Sequence, residues 1–200
     1  MINVTYKWAP MADLNKALIE QAFEELGERL RRRRLVGEIA VYGGAAMVLH
    51  FQIDRVTHDV DAVIEREHGP VQQAVREIGR LHGWGESWLN ENVSVYLSKA
   101  AQAHDLTLFR AYPGEGGIGL RVLVASPRYM LAMKLAALRI GSDHRDIEDA
   151  MQLAQATSVT TAESLTSLYQ MYFPNDPLDA RRIVIIGNIA EKLDAPQQSG

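Results

Sequence analysis

Two aspartates set two residues apart inside an apolar run constrain this chain more than any other feature. They are Asp59 and Asp61, with Val60 between them and Ala62, Val63 and Ile64 following. Such β-branched neighbours favour a strand, whereas acids are depleted in strands. Residues i and i+2 of a strand share one face. Two carboxylates side by side repel each other unless a cation lies between them. A hard divalent ion such as Mg²⁺ suits the pair, because it takes oxygen ligands and usually keeps several waters. The pairing is what phosphoryl and nucleotidyl transfer need. The plainer alternative is a strand edge carrying two solvated acids.

Composition narrows the field. At 200 residues and 22.3 kDa the chain can build one good core or two small subdomains. It is 47% apolar and 23% charged, which is ordinary for a soluble globule. A net charge of −4 means that any polyanion site is a local patch. The absence of cysteine excludes disulfides, thiolate metal sites and cysteine nucleophiles. It also suits a reducing cytosol, and a cytoplasmic location is expected. No apolar run approaches the ~20 residues of a membrane helix. Between Met1 and Pro10 no basic stretch leads into an apolar one, so no secretory leader and no membrane partner are expected.

The pattern predicts a helix capped by Asp13 and running to about Arg33, with Leu14, Ala17, Leu18, Ala22, Leu26 and Leu30 on its apolar stripe. Leu35–Tyr42 reads as a buried strand, ended by Gly43-Gly44, with a short helix over Ala45–Phe51. A second strand follows at Asp59–Ile64, then a helix from Pro70 to His82, broken by Gly83 and Gly85. Val93–Leu97, Asp105–Phe109 and Leu120–Val124 read as further strands. After Ser126-Pro127 the pattern is helical, at about 127–139, 144–156, 161–172 and 178–193, with Gly141 closing the first of these and Ser142 or Asp143 capping the second. The expected class is α+β. A small mixed β-sheet with flanking helices occupies residues 1–126, a helical bundle 127–194, and a disordered tail 195–200.

Several other residues are candidates for chemistry. Gly43-Gly44 sits at a strand-to-helix junction, where glycine lets backbone N–H groups approach an anion and the helix N-terminus favours phosphate. Taken alone the pair also reads as a plain tight turn. Asp105 could supply a third metal carboxylate or be a cap or loop acid, with Thr107 on the same face. Lys134 stands in an apolar helix, so it either snorkels at an edge or points into a cleft to hold triphosphate oxygens. Asp146 and Asp149 share a helix face. They serve either the helix dipole or, across a short turn, Lys134. Arg31–Arg34 end a helix, as a solvated last turn or as a contact to RNA phosphates. Six histidines are scattered without an H-x-x-x-H pair, which argues against a zinc hydrolase.

In this order the residues resemble the polymerase-β-type nucleotidyltransferase superfamily, with the closest likeness to abortive-infection and type IV toxin–antitoxin toxins. The likeness spans roughly residues 36–155. It rests on Gly43-Gly44, then Arg55-Val56-Thr57, then Asp59-Val60-Asp61, then Lys134 and Arg145-Asp146-Ile147-Glu148-Asp149. It implies an Mg²⁺-dependent enzyme that moves an NMP from an NTP to an acceptor hydroxyl, on a tRNA 3′ end or a protein. The resemblance implies that Asp59, Asp61 and Asp105 hold metal. Gly43, Gly44, Arg55, Thr57 and Lys134 would bind nucleotide, and Asp146 would orient Lys134 or act as base. A cognate antitoxin would be the partner. Ala45 and Ala46 stand where a serine commonly follows the glycine, and the third carboxylate fits loosely. The alternative is therefore a nucleotidyltransferase fold that has lost its chemistry and binds RNA or a protein.

Overall fold

A computed structural model describes residues 13–51, 55–138 and 144–195. The expectations for Gly141, Ser142, Asp143 and the tail beyond Ala195 lie outside those residues. The chain divides into two compact units. The first comprises the residues up to Ser94 and Leu108–Val124; the second comprises Val95–Thr107 and the residues from Ala125 onward. The architecture is α+β: a five-stranded mixed sheet with helices, followed by a run of helices.

The first unit is organised by its sheet, in the order β3-β2-β1-β5-β4. The strands are β1 (Gly37–Val41), β2 (Val60–Arg66), β3 (Leu89–Asn90), β4 (Leu106–Tyr112) and β5 (Leu120–Ala125). β1 runs antiparallel to β2 and parallel to β5, and β2 runs parallel to β3. On β2, Val60, Ala62 and Ile64 are buried, while Asp61 and Val63 alternate with them and are half-buried. That period of two sends the aspartate to the opposite face from the core residues.

Helices α1 (Lys16–Arg32), α2 (Gly43–Phe51) and α3 (His68–His82) complete this unit. Asn15, not Asp13, caps α1, its side chain accepting from Leu18 N at 3.0 Å. The buried stripe is Ile19, Ala22, Phe23, Leu26 and Leu30, so the larger Ile19 and Phe23 take the core and Ala17 stays exposed. α1 and its C-cap Arg33 are tied to α3 by ion pairs from Arg29 and Arg33 to Glu77 and by a 2.9 Å hydrogen bond between His82 Nε2 and Glu25. Gly83 closes α3 with φ 70°, as a left-handed C-cap should.

The second unit holds α4 (Pro127–Ala137), α5 (His144–Thr157), α6 (Ala162–Tyr172) and α7 (Ala180–Asp194). Ser126, Thr161 and Asp179 cap α4, α6 and α7 through their side chains. Val93–Leu97 is not a strand. Asn92–Tyr96 forms a 3-10 helix, because local groups take its backbone: Ser94 N and Oγ both donate to Glu91 O, and Asn92 N donates to Asn90 Oδ1. Val95 and Tyr96, which gave the alternation, are 78% and 71% exposed. Asp105 likewise ends a 3-10 turn (Ala103–Asp105) rather than beginning a strand.

Candidate functional site

The first unit gathers Gly43, Gly44, Thr57, Asp59 and Asp61 around the start of α2. β1 ends at Val41, and α2 begins at once with Gly43 at φ 59°. That left-handed conformation turns the chain sharply from strand to helix at little cost only for glycine. Ala46 N donates to Tyr42 O at 3.2 Å, so the N–H groups of Gly43, Gly44 and Ala45 have no acceptor within the helix.

Asp61 lies over this turn. A Cβ on Gly43 would stand 2.8 Å from Asp61 Oδ2, and a Cβ on Gly44 would stand 2.9 Å from Thr57 Oγ1. Neither position has room for a Cβ, because an oxygen of the opposing side chain already stands there. Thr57 is fixed by a two-way backbone bridge to Leu14, at 2.7 and 2.9 Å. Its hydroxyl donates to Asp59 O at 3.1 Å. Arg55 is half-buried two residues before it.

Asp59 lies in the bend leading into β2, one residue before the strand. Its Oδ2 accepts from Asn90 Nδ2 at 3.0 Å. Asn90 is the register partner of Asp61 across the parallel β2–β3 pair. Paired residues of adjacent strands share a face, so Asp59, Asp61 and Asn90 lie on one side of the sheet. Asn90 carries no sequence signal. β3 is two residues long and follows a glycine-broken loop, too short for periodicity.

The donor set suits a hard divalent ion: two half-buried carboxylates beside a glycine turn whose missing Cβ leaves Oδ2 of Asp61 room. Among the described residues, no group of three His, Cys, Asp or Glu side chains converges as a metal site.

In the second unit the structure brings Lys134 together with both acids that share the α5 face, Asp146 and Asp149. Lys134 Nζ lies 2.8 Å from Asp146 Oδ1 and 2.9 Å from Asp149 Oδ2. The lysine side chain is 18% exposed and that of Asp149 2%. Burial pulls the ammonium pKa down, but the charge of Asp149 and the bonds to both carboxylates outweigh it, and the pKa is raised. The cluster ties α4 to α5 through one ammonium set between two carboxylates.

Asp105 is buried, with both oxygens engaged. Oδ1 accepts from the Tyr172 hydroxyl, and Oδ2 accepts from Gln102 N at 2.8 Å. Burial, then this carboxylate, raise the pKa of Tyr172. Ser126 N donates to Asp105 O, and Ser98 N to the Tyr129 hydroxyl, at 2.7 and 2.9 Å. These bonds pin Val95–Thr107 to the helical unit.

Three arginines of the run meet acids. Arg31 and Arg32 both meet Glu28, at 2.8 and 2.9 Å, and Arg33 meets Glu77 at 3.5 Å. The Arg31 and Arg32 bonds hold the Glu28 carboxyl at a pKa of about 2. No described helix is long and apolar enough to cross a membrane.

Comparison with known proteins gives one family. The family model described as "Nucleotidyltransferase of unknown function (DUF6036)" matches residues 17–186. No curated protein and no solved structure gives a significant match.

Proposed function

Because the chain belongs to the DUF6036 nucleotidyltransferase family, we propose that it transfers an NMP from an NTP to an acceptor hydroxyl, with Asp59 and Asp61 as the Mg²⁺ ligands. The observation that carries this is the meeting of Asp61 with the Gly43 turn, 2.8 Å from the place of a glycine Cβ, with Asp59 held on the same face. A carboxylate pair and a set of N–H groups at a helix start are the two halves of a triphosphate site: one takes the cation, the other the anion.

In this reading the α2 N-terminus binds phosphate oxygens through the N–H groups at Gly43-Gly44. Thr57 offers a hydroxyl beside Gly44, on the side where Ala45 supplies none. Arg55 adds charge at the same turn. The ion, when bound, neutralises charge on the phosphates and on the departing pyrophosphate. The acceptor oxygen forms a bond to the α-phosphorus as the bond to the β-phosphate oxygen breaks, and the hydroxyl proton leaves to solvent. The chain's own contribution is positioning and electrostatics. A tRNA 3′ end or a protein hydroxyl is the proposed acceptor, and growth inhibition relieved by an antitoxin the proposed biology.

The test is incubation with each labelled NTP, Mg²⁺, and total RNA or lysate. Label should transfer with the wild type and fail with Asp59→Ala plus Asp61→Ala. Absence of transfer with every nucleotide, together with no Mg²⁺-dependent rise in melting temperature on adding NTP, favours the second reading, an RNA- or protein-binding module. That reading is motivated by Ala45 and by the lack of a three-acid group among the described residues. Ligand at ~100 times its dissociation constant adds about 2.7 kcal/mol of stability.

A further inference from the structure

Asn90 is held at both ends of its amide. Its Oδ1 accepts from Asn92 N at 3.0 Å, which turns the Nδ2 group toward Asp59 Oδ2, also at 3.0 Å. The orientation of the amide follows from this, since reversing it would set an N–H against the Asn92 N–H and an oxygen against a carboxylate. Asn90 is also paired with Asp61 in the β2–β3 register. It is thus the side chain of the neighbouring strand that stands against both acids.

Its chemistry matters because an aspartate at this position would have the same shape. The carboxylate of an Asn90→Asp variant would still accept from Asn92 N, but would oppose Asp59 with a third negative charge. Asparagine instead donates a hydrogen bond to one oxygen of Asp59 and adds no charge. Resting on the metal assignment above, we propose that Asn90 is a positioning residue that fixes the Asp59 carboxylate for the divalent ion.

The experiment titrates Mn²⁺ into the full chain, without nucleotide, and follows binding by EPR and calorimetry, with melting temperature in EDTA as the fold control. The wild type should bind Mn²⁺. Asn90→Ala should bind it at least several-fold more weakly while melting near the wild-type temperature. Asn90→Asp should melt lower in EDTA and gain more from Mn²⁺ than the wild type. Wild-type affinity in both variants would overturn the role of Asn90 while leaving the metal site standing. No Mn²⁺ binding by the wild type would instead remove the metal assignment itself.

Discussion

The Gly43 Cα faces the carboxylate of Asp61 so closely that a methyl group on the glycine would stand 2.8 Å from Oδ2. Gly43 also holds φ 59°. Gly43→Ala therefore meets strain of about 1–2 kcal/mol from the left-handed backbone and must displace the carboxylate as well. We expect lower stability in urea and at least a tenfold loss of Mn²⁺ affinity. Affinity equal to the wild type would mean that the Asp61 oxygen beside Gly43 is not a ligand.

Gly44 and Thr57 make a second such contact, with 2.9 Å from the glycine's would-be Cβ to Thr57 Oγ1. Gly44 lacks the left-handed φ, so here the obstacle is space. Gly44→Ala should destabilise the wild type but cost less in a Thr57→Ala background, where the opposing hydroxyl is gone. The double-mutant cycle should give a coupling of about 0.5–3 kcal/mol. Additive costs would show that the threonine yields freely.

These two contacts show what the sequence made legible. The Gly-Gly turn and the strand at Val60–Ile64 were readable because each is a local pattern with a fixed backbone consequence, positive φ in one and a two-residue period in the other, whereas Arg55 and Thr57 came only through the resemblance and Asp59 falls in the bend before the strand. The order of elements was readable for the same reason, since caps such as Ser126 and breakers such as Gly83 act within a few residues. Asn90 was not, because its place depends on a two-residue strand paired across the sheet. Val93–Leu97 misled because its alternation matched a strand while Ser94 and Asn90 bonded the backbone into a 3-10 turn. Lys134 meets both Asp146 and Asp149, as their shared face allowed, but the burial of Asp149 is a matter of helix packing.

That second partner makes Lys134 a stability residue. Lys134→Met would remove the ammonium that Asp149, 2% exposed, meets at 2.9 Å. Breaking such a buried pair costs about 3 kcal/mol or more. Adding Asp149→Leu should recover part of that loss. The pH dependence has a definite sign. The folded pKa of Lys134 is raised, so its contribution is complete below the unfolded value of ~10.4 and is lost as pH rises through the folded one. Urea midpoints of wild type and Lys134→Met should converge above pH ~10.4 and stay apart near neutral pH. A constant gap across that range would contradict an ionic origin.

Asp105 and the acid pair should respond in opposite ways. Asp105 satisfies the Tyr172 hydroxyl and the Gln102 N–H inside the second unit. Asp105→Ala strands the buried Tyr172 hydroxyl, at about 1–3 kcal/mol, and should leave Mn²⁺ binding unchanged. Tyr172→Phe should reproduce part of the stability loss, since it removes one of the two donors. Asp59→Ala with Asp61→Ala leaves the Asp105 bonds in place, while Mn²⁺ binding should disappear. Urea unfolding and Mn²⁺ calorimetry on the wild type and these three variants separate the roles. Loss of the metal in a folded Asp105→Ala protein would restore Asp105 to the ligand set and contradict its reading as a structural acid.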